Sequence, residues 1–194
     1  MFVTVRNRDL RRQLEKTSCW ISSAHFLLQY LAVDIGLLAL HARYYHSDPD
    51  SVLAMSGAGN PSVILNDYGF DQGYKAETLR VSTSEKSEVI AAIADSLRAN
   101  LPVIARIKSD NILGFGHALI ITGIDTGSGT VIFKDPGTGT KSRSFSVDVR
   151  HVSYDQFFSS GFKYGHSNSM YLDVMGKCTH VIYLTRYEIG SLFD

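Results

Sequence analysis

The chain has 194 residues, 44% of them hydrophobic and 20% charged, an ordinary balance for one enzyme-sized globular fold with a real core. Lys+Arg and Asp+Glu number 19 each, so the formal net charge is zero and no global electrostatic pull toward nucleic acid or an anionic membrane is expected. Two cysteines, Cys19 and Cys178, exclude a disulfide framework; both are expected to be free, as suits a reducing compartment.

Taken in chain order, the N-terminus is charged and lacks the short apolar run and small-residue cleavage site of a secretory signal. Arg6, Arg8, Arg11 and Arg12 read as a solvated, partly mobile segment. Trp20, Ala24, Leu27, Leu28 and Leu31 then recur at steps of three, four and seven, which predicts an amphipathic helix with Cys19 on its first turn. Ile35 to His46 continues the apolar pattern, interrupted at Gly36, until Asp48-Pro49-Asp50 breaks it. Pro61 to Tyr68 reads as a short helix ended by Gly69-Phe70. Val89, Ile90, Ile93 and Leu97 give a further helix behind Ser82-Thr83-Ser84, closing at Asn100 before Pro102. From Leu101 strands dominate, over 101–107, 118–124, 131–133, 142–147 and 180–184, with a short helix near Tyr154 to Phe158. No stretch approaches the ~20 apolar residues of a membrane span.

Helices first and antiparallel strands later is the order of an α+β fold with segregated layers. One domain over 1–194 is expected, with a helical lobe at about 10–100 and a sheet lobe at about 101–187. There are no internal repeats. The Gly-rich stretch from Thr122 to Gly129 lacks the Gly-Lys-Ser/Thr and helix of a phosphate loop and reads as a hairpin turn. The seven histidines are scattered without ligand spacing, so neither a metal site nor a cofactor is expected.

Chemistry concentrates in three places. Cys19-Trp20 opens the first helix, and a thiol there is favoured as thiolate by the partial positive charge of the first-turn N–H groups. Gly116-His117-Ala118 opens an apolar strand, and Lys134-Asp135-Pro136 ends the next one. The turn-rich Asp125-Thr-Gly-Ser-Gly129 between those strands predicts a hairpin that brings His117 and Asp135 side by side. An imidazole that shares the Cys19 proton and later donates it to a leaving group needs an acceptor on its far nitrogen, which Asp135 supplies. Gln13 would add a side-chain amide to the backbone N–H of Cys19 at a developing oxyanion. Trp20 and Gly116 are the expected substrate contacts. Taken singly, each has a plainer reading as a packing pair, a core histidine or a turn; their order and spacing make the joint reading a cysteine hydrolase.

Gln13, Cys19-Trp20 at a helix start, a Gly-His pair opening a strand and Asp-Pro after a hairpin resemble the papain-like cysteine proteases. The His to Asp-Pro segment is most similar to bacterial forms, including the peptidase domains of bacteriocin exporters and secreted cysteine-protease effectors. The resemblance spans roughly Gln13 to Leu184. It implies a papain-like α+β fold in which the nucleophile helix packs on a C-terminal antiparallel sheet, with Cys19 as nucleophile, His117 as general base and acid, Asp135 as orienting group and Gln13 as oxyanion donor. Plant and lysosomal relatives usually orient the histidine with asparagine and carry a Cys-Gly-x-Cys-Trp signature and disulfides; this chain has neither.

The resulting expectation is a cysteine endopeptidase that forms a thioester with a protein or peptide substrate. Its implied setting is that of a soluble bacterial effector or toxin, exported without a classical signal peptide and acting in a reducing target-cell cytosol. Two alternatives stand beside it: the same three groups used for glutamine deamidation or acyl transfer, in which an amine or water resolves the thioester differently, and a catalytically inactive papain-like binding domain.

Overall fold

The computed structural model describes residues 1–11, 14, 18–45, 59–81, 86–109, 116–137, 149–164 and 174–187. Its centre is the pair of strands written by the two longest apolar runs, β3 (Val103–Ser109) and β4 (Gly116–Asp125), antiparallel with Ile104 opposite Ile120 and Ala105 opposite Leu119. Both faces of this pair are buried: Ile104, Ala118 and Ile120 belong to one core, and Val103, Ala105, Leu119 and Ile121 to the other. That is why these strands read as continuous rather than alternating hydrophobic segments.

Around them stand β1 (Phe2–Thr4), β2 (Tyr74–Arg80), β5 (Thr130–Lys134), β6 (Val149–Ser153), β7 (Phe162–Tyr164) and β8 (Val174–Arg186). The sheet runs β2-β8-β3-β4-β5-β6, with β1 on β4 and β7 on β8, and every pairing is antiparallel. Helices α1 (Cys19–Tyr30), α2 (Leu37–Tyr44) and α3 (Pro61–Gly69) share a core with one face, together with Ile104, Ile120, Ile182 and Leu184. Helix α4 (Lys86–Arg98) covers the other face with Val89, Ile93 and Leu97, beside a π-turn at Gln156–Ser160 whose Phe157 and Phe158 join that core.

Helix α1 is enclosed rather than amphipathic, since every residue from Ile21 to Leu28 is buried. Phe26, Leu27 and Leu28 are fully buried, and each large apolar side chain so placed contributes roughly 1.5–3 kcal/mol. The helix ends in a left-handed residue, Ala32, with Val33 N–H donating to Leu28 O and Ala32 N–H to Gln29 O, which satisfies two terminal carbonyls. Helix α4 ends the same way at Asn100, whose Oδ1 also accepts the Arg6 N–H at 2.8 Å.

Several sequence expectations need revision. β2 lies in the part of the chain expected to be helical, β1 precedes it, and both join the sheet. The basic N-terminal segment is anchored, with β1 paired to β4, Leu10 fully buried and the Arg8 guanidinium over the Tyr30 ring. β8 extends well beyond 180–184, and β6 and β7 were unforeseen. The strand expected at 142–147, the break at 48–50 and the Ser82-Thr83-Ser84 cap fall outside the described residues. Among the described residues no helix is long and apolar enough to cross a membrane.

Candidate active site

Cys19 is the first residue of α1 and 3% exposed, with a free thiol. Ser18 makes no side-chain capping bond to the helix and no acidic residue occupies its first turn, so the positive end of the helix is not offset by a carboxylate there.

His117, the second residue of β4, reaches the same point from the sheet. Its Nε2 lies 2.6 Å from Asp135 Oδ1, and its ring also hydrogen-bonds the Cys19 side chain. With Nε2 committed to Asp135, Nδ1 is the nitrogen left for the thiol. Burial alone would push the imidazole pKa down, but the charges and hydrogen bonds of Asp135 and Cys19 prevail and hold it well above the ordinary histidine value. The imidazolium form is therefore favoured.

Asp135 is fully buried. The β4–β5 hairpin delivers it: Asp125 accepts the Gly127 N–H at 2.9 Å and the Ser128 hydroxyl at 2.7 Å, Gly129 takes the left-handed turn, and Ile120 pairs with Lys134, so Asp135 emerges beside the opening of β4. The Gly137 N–H donates to the same Asp135 Oδ1 at 2.8 Å. A Cβ at Gly137 would stand 3.2 Å from that oxygen and 3.3 Å from His117 Cε1, so the backbone closes over the pair where a side chain would crowd it.

Lys134 is almost as buried as its neighbour. It lies on the face that holds Ile120, under α1, where its Nζ donates to Asn7 Oδ1 at 3.0 Å and Arg8 O at 2.6 Å and sits 5.6 Å from the Phe26 ring centroid. Desolvation lowers its pKa, while Asp9 raises it. This lysine ties the segment leading toward position 13 to the strand that carries Asp135.

A small pocket of about 40 Å³ opens on Cys19 and His117 and is lined further by Trp20, Gly59, Asn60, Pro61, Ile104, Arg106, Gly116, Ala118 and Ile182. Trp20 owes its position to Gly59, where a Cβ would fall 1.9 Å from the indole ring. Gly116 faces no comparable constraint, since a Cβ there would stand 3.8 Å from Arg106 Nε.

Of the residues singled out in the sequence, Cys19, His117, Asp135, Trp20 and Gly116 stand together; Gln13 lies outside the described residues. The roles of Gly137, Gly59, Lys134 and Arg106 are not marked by any sequence pattern, although Gly137 and Lys134 flank the Asp135-Pro136 pair. Cys178 is buried in the opposite core, where burial pushes its thiol pKa up despite a bond to His180 O at 3.3 Å. Among the described residues no group of three or more His, Cys, Asp or Glu is arranged to hold a metal ion.

Residues 5–161 match the model of the Peptidase_C39 like family. No curated protein matches the sequence. Among solved structures, a double glycine motif protease from an AMS/PCAT transporter, determined in complex with its leader peptide, is similar with a TM-score of 0.49 at 11% identity, covering 95% of this chain and 99% of that one. UfSP from C. elegans is similar with a TM-score of 0.50 at 12% identity, covering 97% of this chain and 35% of that one. The chain belongs to the Peptidase_C39 like family, and is a cysteine peptidase of papain-like α+β fold.

Proposed function

We propose that the chain is an endopeptidase with a Cys19-His117-Asp135 triad. The observation that carries this reading is the two-sided engagement of His117, with Nε2 on the buried Asp135 carboxylate and the ring bonded to Cys19 on its other side. Cys19 Sγ attacks the scissile carbonyl carbon, and the oxyanion forms at the N-terminus of α1, where the Cys19 N–H and the Gln13 side-chain amide donate to it. His117 Nδ1–H then protonates the leaving amine, the C–N bond breaks, and a thioester remains on Cys19. A water attacks the thioester as His117 Nδ1 takes its proton, and that proton returns to sulfur as the carboxylic product leaves. Asp135 stays a carboxylate throughout and holds the Nε2–H tautomer.

Part of the same proposal is the setting of a bacterial effector or toxin that acts on a target-cell protein. Two free, buried cysteines support action in a reducing compartment. The test is incubation of wild type and Cys19→Ala with a degenerate peptide library read by mass spectrometry. Chain cleavage by the wild type alone is the expected result; ammonia release from glutamine peptides without chain cleavage would assign the site to deamidation instead.

A further inference from the structure

The face of the sheet that carries the pocket also carries a row of basic side chains. Arg80 on β2 pairs with His180 on β8, His180 with Arg106 on β3, and Arg106 with Ala118 on β4. Directly paired residues project to the same side of a sheet with Cβ atoms roughly 5 Å apart, so these four side chains form one line across four strands. The line ends beside His117. One step along the strands, Thr78, Ile182, Ile104 and Ile120 form the next line, and its isoleucines belong to the core under α1. Arg106 therefore stands where that apolar floor gives way to the open end of the pocket, close to Gly116.

Among the described residues the carboxylate ion pairs are made by Met1, Arg43, Lys75, Arg98 and His117, and neither Arg80 nor Arg106 takes part in one. Burial, followed by the charges of Arg106 and Arg80, holds the His180 imidazole below its ordinary value, so both guanidinium groups act at this spot.

We propose that this pocket selects an acidic substrate side chain, an Asp or Glu within two residues of the scissile bond, with Arg106 as its carboxylate partner and Arg80 extending the positive field outward. The inference rests on the endopeptidase reading. Cys19 itself bounds the pocket, and at ~3.5 Å of extended chain per residue only the nearest substrate positions reach it. A volume of about 40 Å³ suits a short side chain. Its methylenes would lie on Ile104 and Ile182, and its carboxylate would meet the planar guanidinium fork that binds carboxylates in bidentate fashion.

The experiment compares kcat/KM for matched peptides carrying Glu, Gln or Lys at each position near the cleavage site, with wild type, Arg106→Gln and Arg106→Glu, while iodoacetamide labelling of wild-type Cys19 is followed separately. The readout is the Glu-to-Lys ratio within each enzyme, which cancels any general loss of activity. A wild-type preference for Glu at one position, reduced roughly tenfold to a hundredfold in Arg106→Gln and reversed toward Lys in Arg106→Glu, is expected. Cleavage with no acidic preference, or a ratio unmoved by Arg106→Glu, would overturn the proposal and leave the endopeptidase reading standing. Absence of cleavage together with a Cys19 that labels like an ordinary thiol would overturn both.

Discussion

His117 Nε2 stands 2.6 Å from Asp135 Oδ1, and that single oxygen also accepts the Gly137 N–H. The imidazole is thus fixed in direction by a carboxylate that is itself fixed by backbone, which leaves the ring little freedom to turn away from Cys19. Asp135→Asn keeps an acceptor at this point but removes its charge. The His117 pKa should move down toward the ordinary value, and kcat/KM should fall roughly a hundredfold, within the range of general acid–base contributions. A histidine NMR titration alongside peptide kinetics checks both.

Gly137 is tested by the smallest possible side chain. In Gly137→Ala the new Cβ would press on Asp135 Oδ1 and His117 Cε1 from 3.2 and 3.3 Å, and the pair must yield by a few tenths of an ångström. Since displacements of about 1 Å can cost a hundredfold, roughly a tenfold loss of kcat is expected. The melting temperature should change little, because Gly137 is half-buried and belongs to neither core cluster.

The stability of the fold should carry the signature of His117 in its pH dependence. A histidine whose folded pKa is raised contributes stability that is fully present below the unfolded value of about 6.5 and is lost as pH rises through the folded value. The difference in urea midpoint between wild type and His117→Gln should therefore be full below about pH 6.5, begin to shrink above it, and vanish only as pH passes the raised folded value. A decline already complete by about pH 7 would contradict the raised value.

Trp20 is the only tryptophan in the chain, so its fluorescence reports the pocket wall directly. Gly59→Ala places a Cβ where the indole ring now lies and must displace it. A shift in emission maximum and a several-fold rise in KM are expected; unchanged fluorescence would mean that the Gly59 backbone does not hold the ring.

What was legible in the sequence was what local pattern encodes. The Cys19 helix, the helix before Pro102 and the β4–β5 hairpin each carry their own periodicity or turn residues, and the hairpin alone brings His117 to Asp135. β2 was not legible: Tyr74–Arg80 is a half-exposed edge strand with a weak apolar pattern, stabilised by β8, its partner from the far end of the chain. The closeness of Gly59 to Trp20, of Lys134 to Asn7 and of Arg106 to the pocket likewise comes from elements distant in sequence, and no spacing rule reports it. The enclosure of α1 on nearly every side follows from two further helices closing over it, which its own stripe of leucines does not specify.

The most direct measurement is the rate of iodoacetamide labelling at Cys19, read by intact mass from about pH 5 to pH 9 in wild type and His117→Ala, with the buried Cys178 as internal control. A thiolate–imidazolium pair predicts one rapid adduct at Cys19 that persists below pH 7 and is lost in His117→Ala. Labelling that rises only in the alkaline range of an unperturbed thiol, with the same profile in both proteins, would contradict the account.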